Sequence, residues 1–180
     1  MAYQTVFSQE IADHLVERIE SELPGLLDTT RVRPPRLIAH ARPDALREYP
    51  DGDSLQRTLP AVLVLIEGPK VLRSRVIGPI VEVEERFRIL VVTDSEIRDG
   101  GQTPQDLDAT VEALTRVLHG NVMLPEAAVF GASSTQQLTP LRIDAVEYDP
   151  KELRELKRLA PGVIGAAVPI AVQTVTSQGG

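Results

Sequence analysis

The sequence contains no cysteine and no tryptophan, and aromatic residues make up only 3% of its 180 residues. The lack of cysteine excludes disulfides, thiol nucleophiles and Cys-ligated zinc, and fits a reducing cytoplasm. With few aromatics, the core must consist of Val, Leu, Ile and Ala. The same scarcity argues against binding of carbohydrate or single-stranded nucleic acid, which relies on aromatic stacking. No apolar run approaches the ~20 residues that a membrane-spanning helix requires.

Basic residues are outnumbered, since 19 Lys and Arg stand against 26 Asp and Glu, for a net charge of −7. Nucleic-acid binding through phosphate neutralisation is therefore not expected, although an acidic surface could line a path along which DNA slides. The first residues, MAYQTVFSQEIADHLVERI, lack a basic region followed by an apolar core, so no secretory signal is expected. The length and the ordinary apolar fraction of 42% predict one soluble domain over residues 1–180.

The first amphipathic helix is predicted over residues 8–23. Ser8 is a plausible N-cap, and Pro24–Gly25 is expected to end the helix. One apolar stripe recurs at steps of four residues and consists of Ile11, Leu15, Ile19 and Leu23.

A second helix is predicted over about residues 104–119. Thr103 is its expected cap, Pro104 suits the first helical position, and Asp106 falls in capping-box register. Gly120 is expected to close the helix. Its apolar stripe is formed by Leu107, Val111, Leu114 and Leu118.

Several segments have strand patterns. The continuous apolar run LPAVLVLIEG (59–68) is typical of a strand covered on both faces. In IVEVEERFRILVVT (80–93), apolar and charged residues alternate, which predicts a long strand with one solvated face and a bulge or an exposed stretch at Glu85. Any strand within residues 31–40 is an edge strand or begins after Pro35. Segments 126–132, 138–149 and 165–176 are also strand-like.

The order of these elements predicts an α+β domain, with a mainly antiparallel β-sheet on which the N-terminal helix and the second helix pack. PKELRELKRL (150–159) is expected to form a short helix or an ordered loop. Residues 41–58 are polar and contain prolines, which predicts a loop excursion, and residues 177–180 are expected to be a flexible tail.

The stretch RILVVTDSEIRDGGQTPQDLDATVEALTRVLHG (88–120) has the strand–loop–helix order of many nucleotide-binding units. A dinucleotide site needs G-x-G-x-x-G between strand and helix, and a Walker loop needs a Gly-Lys pair, but neither is present. The acidic residues around the helix start would repel a phosphate. With Asp94 as a first calcium ligand, Arg98 falls on the fifth position, where an EF-hand requires an oxygen. A solvated acidic loop with helix capping is the favoured interpretation.

Catalytic and metal-binding patterns are also missing. His14 and Glu17 share a helical face, as metal ligands sometimes do, but the sequence offers no second pair to complete a site. His119 is better explained by its place at a helix C-terminus. Ser133 and Ser134 follow a glycine without the G-x-S-x-G frame of a serine hydrolase. The sequence therefore predicts no enzyme activity, no cofactor and no metal site.

Charge is unevenly distributed, with +4 over residues 31–47 and −5 over residues 94–112. One interpretation is that both segments are solvated surfaces. The other is that unlike patches meet between copies of the chain, in a head-to-tail contact that can close into a ring. The candidate interface residues are Arg31, Arg33, Arg36, Arg42, Asp94, Glu96, Asp99 and Asp106.

The layout as a whole resembles a known family. An N-terminal amphipathic helix leads through a Pro-rich basic stretch to LPAVLVLIEG, and VEVEERFRILVVTD then runs into an acidic loop and the helix TPQDLDATVEALTRVLHG. The strands LRIDAVEYD and GAAVPIAVQTVT follow. This pattern covers nearly the whole chain and resembles the tail terminator (tail completion) proteins of tailed bacteriophages, particularly those of Mu-like and other contractile-tailed phages. No short motif in it is diagnostic.

The resemblance implies a structural virion protein. Members of that family form a hexameric ring at the head-proximal end of the tail, stop growth of the tube and sheath, and present a surface to the neck. The implied partners are other copies of the chain, the tail tube, possibly the sheath, and the neck or head–tail connector, while DNA passes through the lumen without specific binding and no membrane is involved. The expected location is the virion tail, after assembly in the host cytoplasm. The family has no catalytic residues to transfer.

Two alternatives stay open at this point. The chain could be another virion component, a neck adaptor or a baseplate subunit, because ring-forming tail proteins reuse related α+β scaffolds. It could also be a small-ligand-binding protein or an enzyme whose site is built from residues far apart in the sequence.

Overall fold

The fold was analysed in a computed structural model, which describes residues 8–41, 57–68, 71–73, 80–94, 105–119, 121–123 and 138–177. These ranges contain the helices α1 (Ser8–Leu26), α2 (Gln105–Leu118) and α3 (Leu153–Leu159). Their strands are β1 (Leu37–Ala41), β2 (Ala61–Ile66), β3 (Val71–Arg73), β4 (Ile80–Asp94), β5 (Asn121–Met123), β6 (Leu138–Ile143), β7 (Glu147–Tyr148) and β8 (Val163–Ser177). None of the helices in this part of the chain combines the length and the apolarity needed to cross a bilayer.

All described strands belong to one sheet, in the order β1-β2-β4-β8-β6-β5, with β3 also pairing with β4 and β7 with β8. Only β1 and β2 pair in parallel, and every other described pair is antiparallel. The two central strands pair along their whole length, from Ile80 opposite Ser177 to Asp94 opposite Val163. At ~3.4 Å per residue, this ladder is about 50 Å long. The predicted α+β class and the mainly antiparallel sheet are confirmed.

Helices α1 and α2 pack on one face of the sheet and form the larger core. The apolar stripes predicted for both helices are buried, and they contact alternate residues of β2, β4 and β8, such as Val64, Ile89 and Val168. Alternation places these strand residues on one side of the sheet, because successive side chains of a strand point to opposite faces. The amphipathic patterns of the two helices thus predict correctly which residues form this core.

Helix α1 is longer than predicted, since it continues through Pro24 to Leu26. A proline removes one backbone hydrogen bond from a helix, a loss that costs less in an exposed last turn, where water can reach the freed carbonyl. The apolar stripe also continues from Leu23 to Leu27, which is 8% exposed. Burying a leucine contributes ~1.5–3 kcal/mol, so the additional turn is favoured. Ser8 is the first residue of α1, within the usual disagreement over helix ends.

The prediction of a solvated face on β4 is wrong. On the side of the sheet opposite α1 and α2, Leu90 and Val92 of β4 pack with Leu63 and Leu65 of β2 in a second core. Helix α3 covers this core with Leu153, Leu156 and Ala160. The prediction failed in both halves of the strand: α3 covers Leu90 and Val92, and in the charged half Glu84 and Arg88 are buried as well, at 1% and 8% exposure.

Glu85 also departs from its prediction, because it forms no bulge in the ladder with β8 and is 3% exposed. The pairing of Glu85 with Val172 continues the register on both sides. A one-residue slip there would turn Phe87, Ile89 and Val91 away from the core, because side chains alternate between the faces of a strand. Keeping those three residues buried therefore requires an unbroken register.

Gly165 in β8 lies at a position with no room for a side chain. A Cβ atom at this position would be 2.5 Å from the Val91 carbonyl oxygen and 2.8 Å from Leu153 Cδ1. The absence of a side chain lets α3 lie directly on the sheet, which closes the second core at this end.

The remaining element predictions have mixed outcomes. The edge position of β1 after Pro35 is confirmed, and residues 153–159 form a helix. The predicted strand over residues 138–149 is divided into β6 and β7, and Ser177, expected in the tail, is the last residue of β8. The predicted strand at 126–132, the cap residues Thr103, Pro104 and Gly120, and the greater part of the 41–58 loop lie outside the described residues.

Candidate functional site

The eight candidate interface residues are not all exposed on the surface of the chain. Arg33, Asp94 and Asp106 come together within one chain. Arg31 and Arg36 are exposed, and Arg42, Glu96 and Asp99 lie outside the described residues. An interface role for Arg31 and Arg36 stays a prediction. Arg33, Asp94 and Asp106, in contrast, have most of their charge balanced by one another within the chain.

Arg33 lies between the end of β4 and the start of α2. Its guanidinium donates to both carboxylate oxygens of Asp94, with Nη1 3.3 Å from Oδ2 and Nη2 in close contact with Oδ1. Nε donates to Asp106 Oδ2 at 2.7 Å, and the Arg33 backbone N–H donates to Asp106 Oδ1 at 3.3 Å. Nη2 is also 3.3 Å from the buried Thr93 hydroxyl oxygen. Two-oxygen contacts of this kind match the planar fork of arginine, which lysine cannot reproduce.

This arginine cluster (Arg33, Asp94 and Asp106) is largely removed from solvent, with side-chain exposures of 15%, 13% and 19% respectively. The hydrogen bonds to Asp94 raise the pKa of Arg33 above its ordinary value, and Asp106 raises it further. Together the two carboxylates outweigh burial, which lowers this pKa. Arg33 therefore keeps its positive charge at neutral pH.

The arginine cluster holds together the two ends of the acidic segment 95–104. Asp94 is the last residue of β4 and Asp106 is the second residue of α2, so a single guanidinium contacts both sides of the connection. The Asp106 carboxylate accepts hydrogen bonds from Arg33, while Thr103, its predicted partner in a capping box, lies outside the described residues. Because Arg33 pairs with both carboxylates, it fixes the end of β4 and the start of α2 relative to each other.

A second cluster was not predicted and lies on the α3 face of the sheet. Arg88, at the centre of β4, has a side chain that is 10% exposed. Its Nη2 donates to Glu147 Oε2 at 2.5 Å, Nη1 donates to Glu67 Oε1 at 3.3 Å, and Nε is 3.5 Å from Glu152 Oε1. Burial lowers the pKa of Arg88, but the hydrogen bond to Glu147 and the charges of Glu152 and Glu67 outweigh it and raise the pKa overall.

A separate group of charged contacts lies further along the same face of β4. The Glu84 carboxylate, only 1% exposed, is 3.4 Å from Arg86 Nη2 and 4.0 Å from Arg142 Nη2. Arg142 Nε also donates to Asp144 at 3.1 Å. The Arg88 contacts join β4 to the end of β2, to β7 and to the turn before α3. The contact of Arg142 with Glu84 joins β6 to β4 on the same face. The signal in the sequence was the Arg and Glu alternation of β4, which was interpreted as solvent exposure.

The histidines show only pairwise contacts. His14 Nδ1 is 3.6 Å from Glu17 Oε2, and His40 Nδ1 is 3.7 Å from Asp13 Oδ1. His119 is exposed at the end of α2. Among the described residues, no group of three or more His, Asp or Glu side chains has an arrangement suited to a metal ion. Ser133 and Ser134 lie outside the described ranges.

No family model matches the sequence, and no curated protein matches it.

Proposed function

We propose that this chain is a structural protein of a phage or phage-like particle that forms a hexameric ring at the head-proximal end of the tail. The ring stops elongation of the tail tube and provides the surface that joins the tail to the neck. In this role the chain is not an enzyme and carries no cofactor, and its partners are further copies of itself, the tube and possibly sheath proteins, and the neck connector.

The observation that carries the proposal is the order and placement of the elements. An N-terminal helix packs on the sheet, an edge strand follows the Pro-rich stretch, and the long strand β4 leads through the acidic segment to α2. The chain then returns to the centre of the sheet as β8. This is the layout on which the resemblance to tail terminator proteins rests.

The arginine cluster supports a structural role for the strand–loop–helix unit. In a nucleotide-binding protein, the backbone amides at the start of the helix face a phosphate. Here the carboxylates of Asp94 and Asp106 flank that position and are held by Arg33. A unit braced in this way suits a subunit that keeps its shape under the load of an assembled tail.

The test is electron microscopy of particles made by the source phage or prophage after deletion of the gene. Overlong tails detached from filled heads are expected, because tube growth has lost its stop. Tails of normal length with a defect elsewhere would assign the chain to the neck or the baseplate. Intact infectious particles would refute the structural role and favour a search for a small ligand by thermal shift.

A further inference from the structure

The outer face of α1 carries a row of carboxylates. Glu10, Asp13, Glu17 and Glu20 are exposed and follow one another at intervals of three and four residues, so they lie on one side of the helix, opposite its buried stripe. We name this row the acidic stripe. Two histidines lie near it, His40 at 3.7 Å from Asp13 and His14 at 3.6 Å from Glu17. Arg18, the one basic residue of α1 apart from His14, pairs with Glu22 at 3.2 Å.

The outer face of α3 and the turn before it carry the opposite charge. Lys151, Arg154 and Arg158 are exposed and lie on the side of the helix away from Leu153 and Leu156, which are buried. We name these three residues the basic stripe. The neighbouring Lys157 is instead engaged by Asp149, so its charge is already balanced within the subunit.

The two stripes share a spacing and lie on opposite sides of the sheet. The basic stripe follows the pattern i, i+3, i+7, and so do Glu10, Asp13 and Glu17. At 1.5 Å per residue of helix, the row from Glu10 to Glu17 is about 10 Å long, and the basic stripe extends over the same number of residues from the turn into α3. Since α1 contacts the larger core and α3 contacts the second core, the sheet separates them. The stripes therefore cannot meet within one chain.

We infer that the acidic stripe of one copy docks on the basic stripe of another, in a head-to-tail contact. Like charges three and four residues apart destabilise a helix, and both stripes place like charges at these spacings. Opposite charges on a second copy offset this destabilisation. A contact between two different surfaces of the same chain generates a closed ring or an open filament. The contact stands on the charge layout alone, whereas its closure into a hexamer rests on the proposed function.

The experiment compares sedimentation velocity of the whole chain at about 0.02 M and about 0.5 M salt, because charge pairs at a surface are screened within a Debye length that falls from ~20 Å to ~4 Å. The wild-type chain is expected to associate at low salt and to dissociate at high salt. Reversal of the basic stripe (K151E, R154E and R158E) is expected to weaken association at least about tenfold at low salt. Reversal of the acidic stripe (D13K, E17K and E20K) is expected to do the same.

Mixing the two reversed variants provides the decisive result. Each variant alone carries two stripes of the same sign, but in the mixture every stripe finds an opposite one, so association should return. A control variant made more acidic outside both stripes, R57E with R116E, should associate like the wild type. Circular dichroism and the melting temperature establish that all variants fold.

Three results would overturn the inference: a wild-type chain that is monomeric at low salt, association that survives both reversals, or a mixture that fails to restore it. An equal loss of association in the control variant would show that the net charge of the chain, and not the stripes, governs association, and would also overturn the inference. If gene deletion gives overlong tails but reversal of the stripes leaves association unchanged, the ring uses other surfaces. Normal particles together with a functioning stripe contact would refute the proposed function and leave the contact intact.

Discussion

Replacing Arg33 by methionine tests the arginine cluster most directly. Methionine keeps much of the length and the apolar stem but removes the charge and every hydrogen bond of the guanidinium. Asp94 and Asp106, at 13% and 19% exposure, would then be two close carboxylates without their cation. Breaking a buried ion pair by removing one partner costs ~3–5 kcal/mol. Because these side chains keep some access to water, we expect a loss of about 2–4 kcal/mol in the free energy of unfolding.

The assay is equilibrium unfolding in urea. For a denaturant dependence of ~2 kcal/mol per M, this loss moves the midpoint down by about 1–2 M, and the melting temperature should fall by roughly 4–16 °C. The matched control is Arg116→Met, because Arg116 pairs with Glu112 at 67% exposure of both side chains. That change is expected to cost less than ~0.5 kcal/mol.

A second variant separates the charge from the packing. Replacing Asp94 and Asp106 by asparagine together with Arg33→Met removes the whole set of charges, and the loss should be clearly smaller than for Arg33→Met alone. A cost below ~0.5 kcal/mol for Arg33→Met would refute the reasoning, because the cluster would then behave like an exposed ion pair. A triple variant less stable than the single one would show that the stabilisation does not come from compensating charge.

Three further outcomes can be measured independently. Gly165→Ala is expected to cost about 1–3 kcal/mol in urea unfolding, because its Cβ would meet a backbone oxygen that cannot move aside; Gly25→Ala, with open space around the Cβ, should not destabilise, and equal effects of the two would contradict this account. The hydrogen bonds from the Thr30 hydroxyl and backbone N–H lower the pKa of Asp28 below 3.8. The stabilising contribution of Asp28 is therefore present above pH 3.8 and is lost as the pH falls through the lowered pKa. NMR titration should show a higher pKa of Asp28 in Thr30→Val, and an unchanged pKa would refute the assignment. Arg88→Met should lower the free energy of unfolding by about 2–4 kcal/mol. Arg88→Lys should lower it less, because lysine keeps the charge, although it cannot contact three carboxylates in the geometry of arginine. An equal loss for the two variants would contradict this explanation.

Local patterns in the sequence predicted a large part of the fold. The stripes of α1 and α2 have the helical period, and the uninterrupted apolar run of β2 indicates cover on both faces. A strand covered on both faces needs neighbours that are covered as well, so this run contradicts the solvated face predicted for β4, which pairs with β2. That disagreement was the available signal for a second core, together with the spacing of Leu153, Leu156 and Ala160.

The ion clusters could not be predicted in this way, because they join residues that are distant in the sequence. Arg33 is separated from Asp94 by 61 residues and from Asp106 by 73. No periodicity connects such positions, and the net charge of a segment does not show whether its partner lies in the same chain or in another. For this reason the sequence left open whether the two oppositely charged segments are solvated or meet between copies, whereas Arg33 of one segment meets Asp94 and Asp106 of the other within one chain.

The position of β8 in the sheet has a consequence for synthesis of the chain. Its partners in β4 precede it by roughly 70–100 residues, so the central ladder is among the most non-local contacts in the protein and its formation is slow. On the ribosome, α1, α2 and β4 emerge before the strand that completes their shared core. Until β8 arrives, the long edge of β4 is open to other strands and is an aggregation hazard. Yield of folded protein should therefore depend on how quickly synthesis proceeds past β8 and on chaperones that cover β4 in the interval.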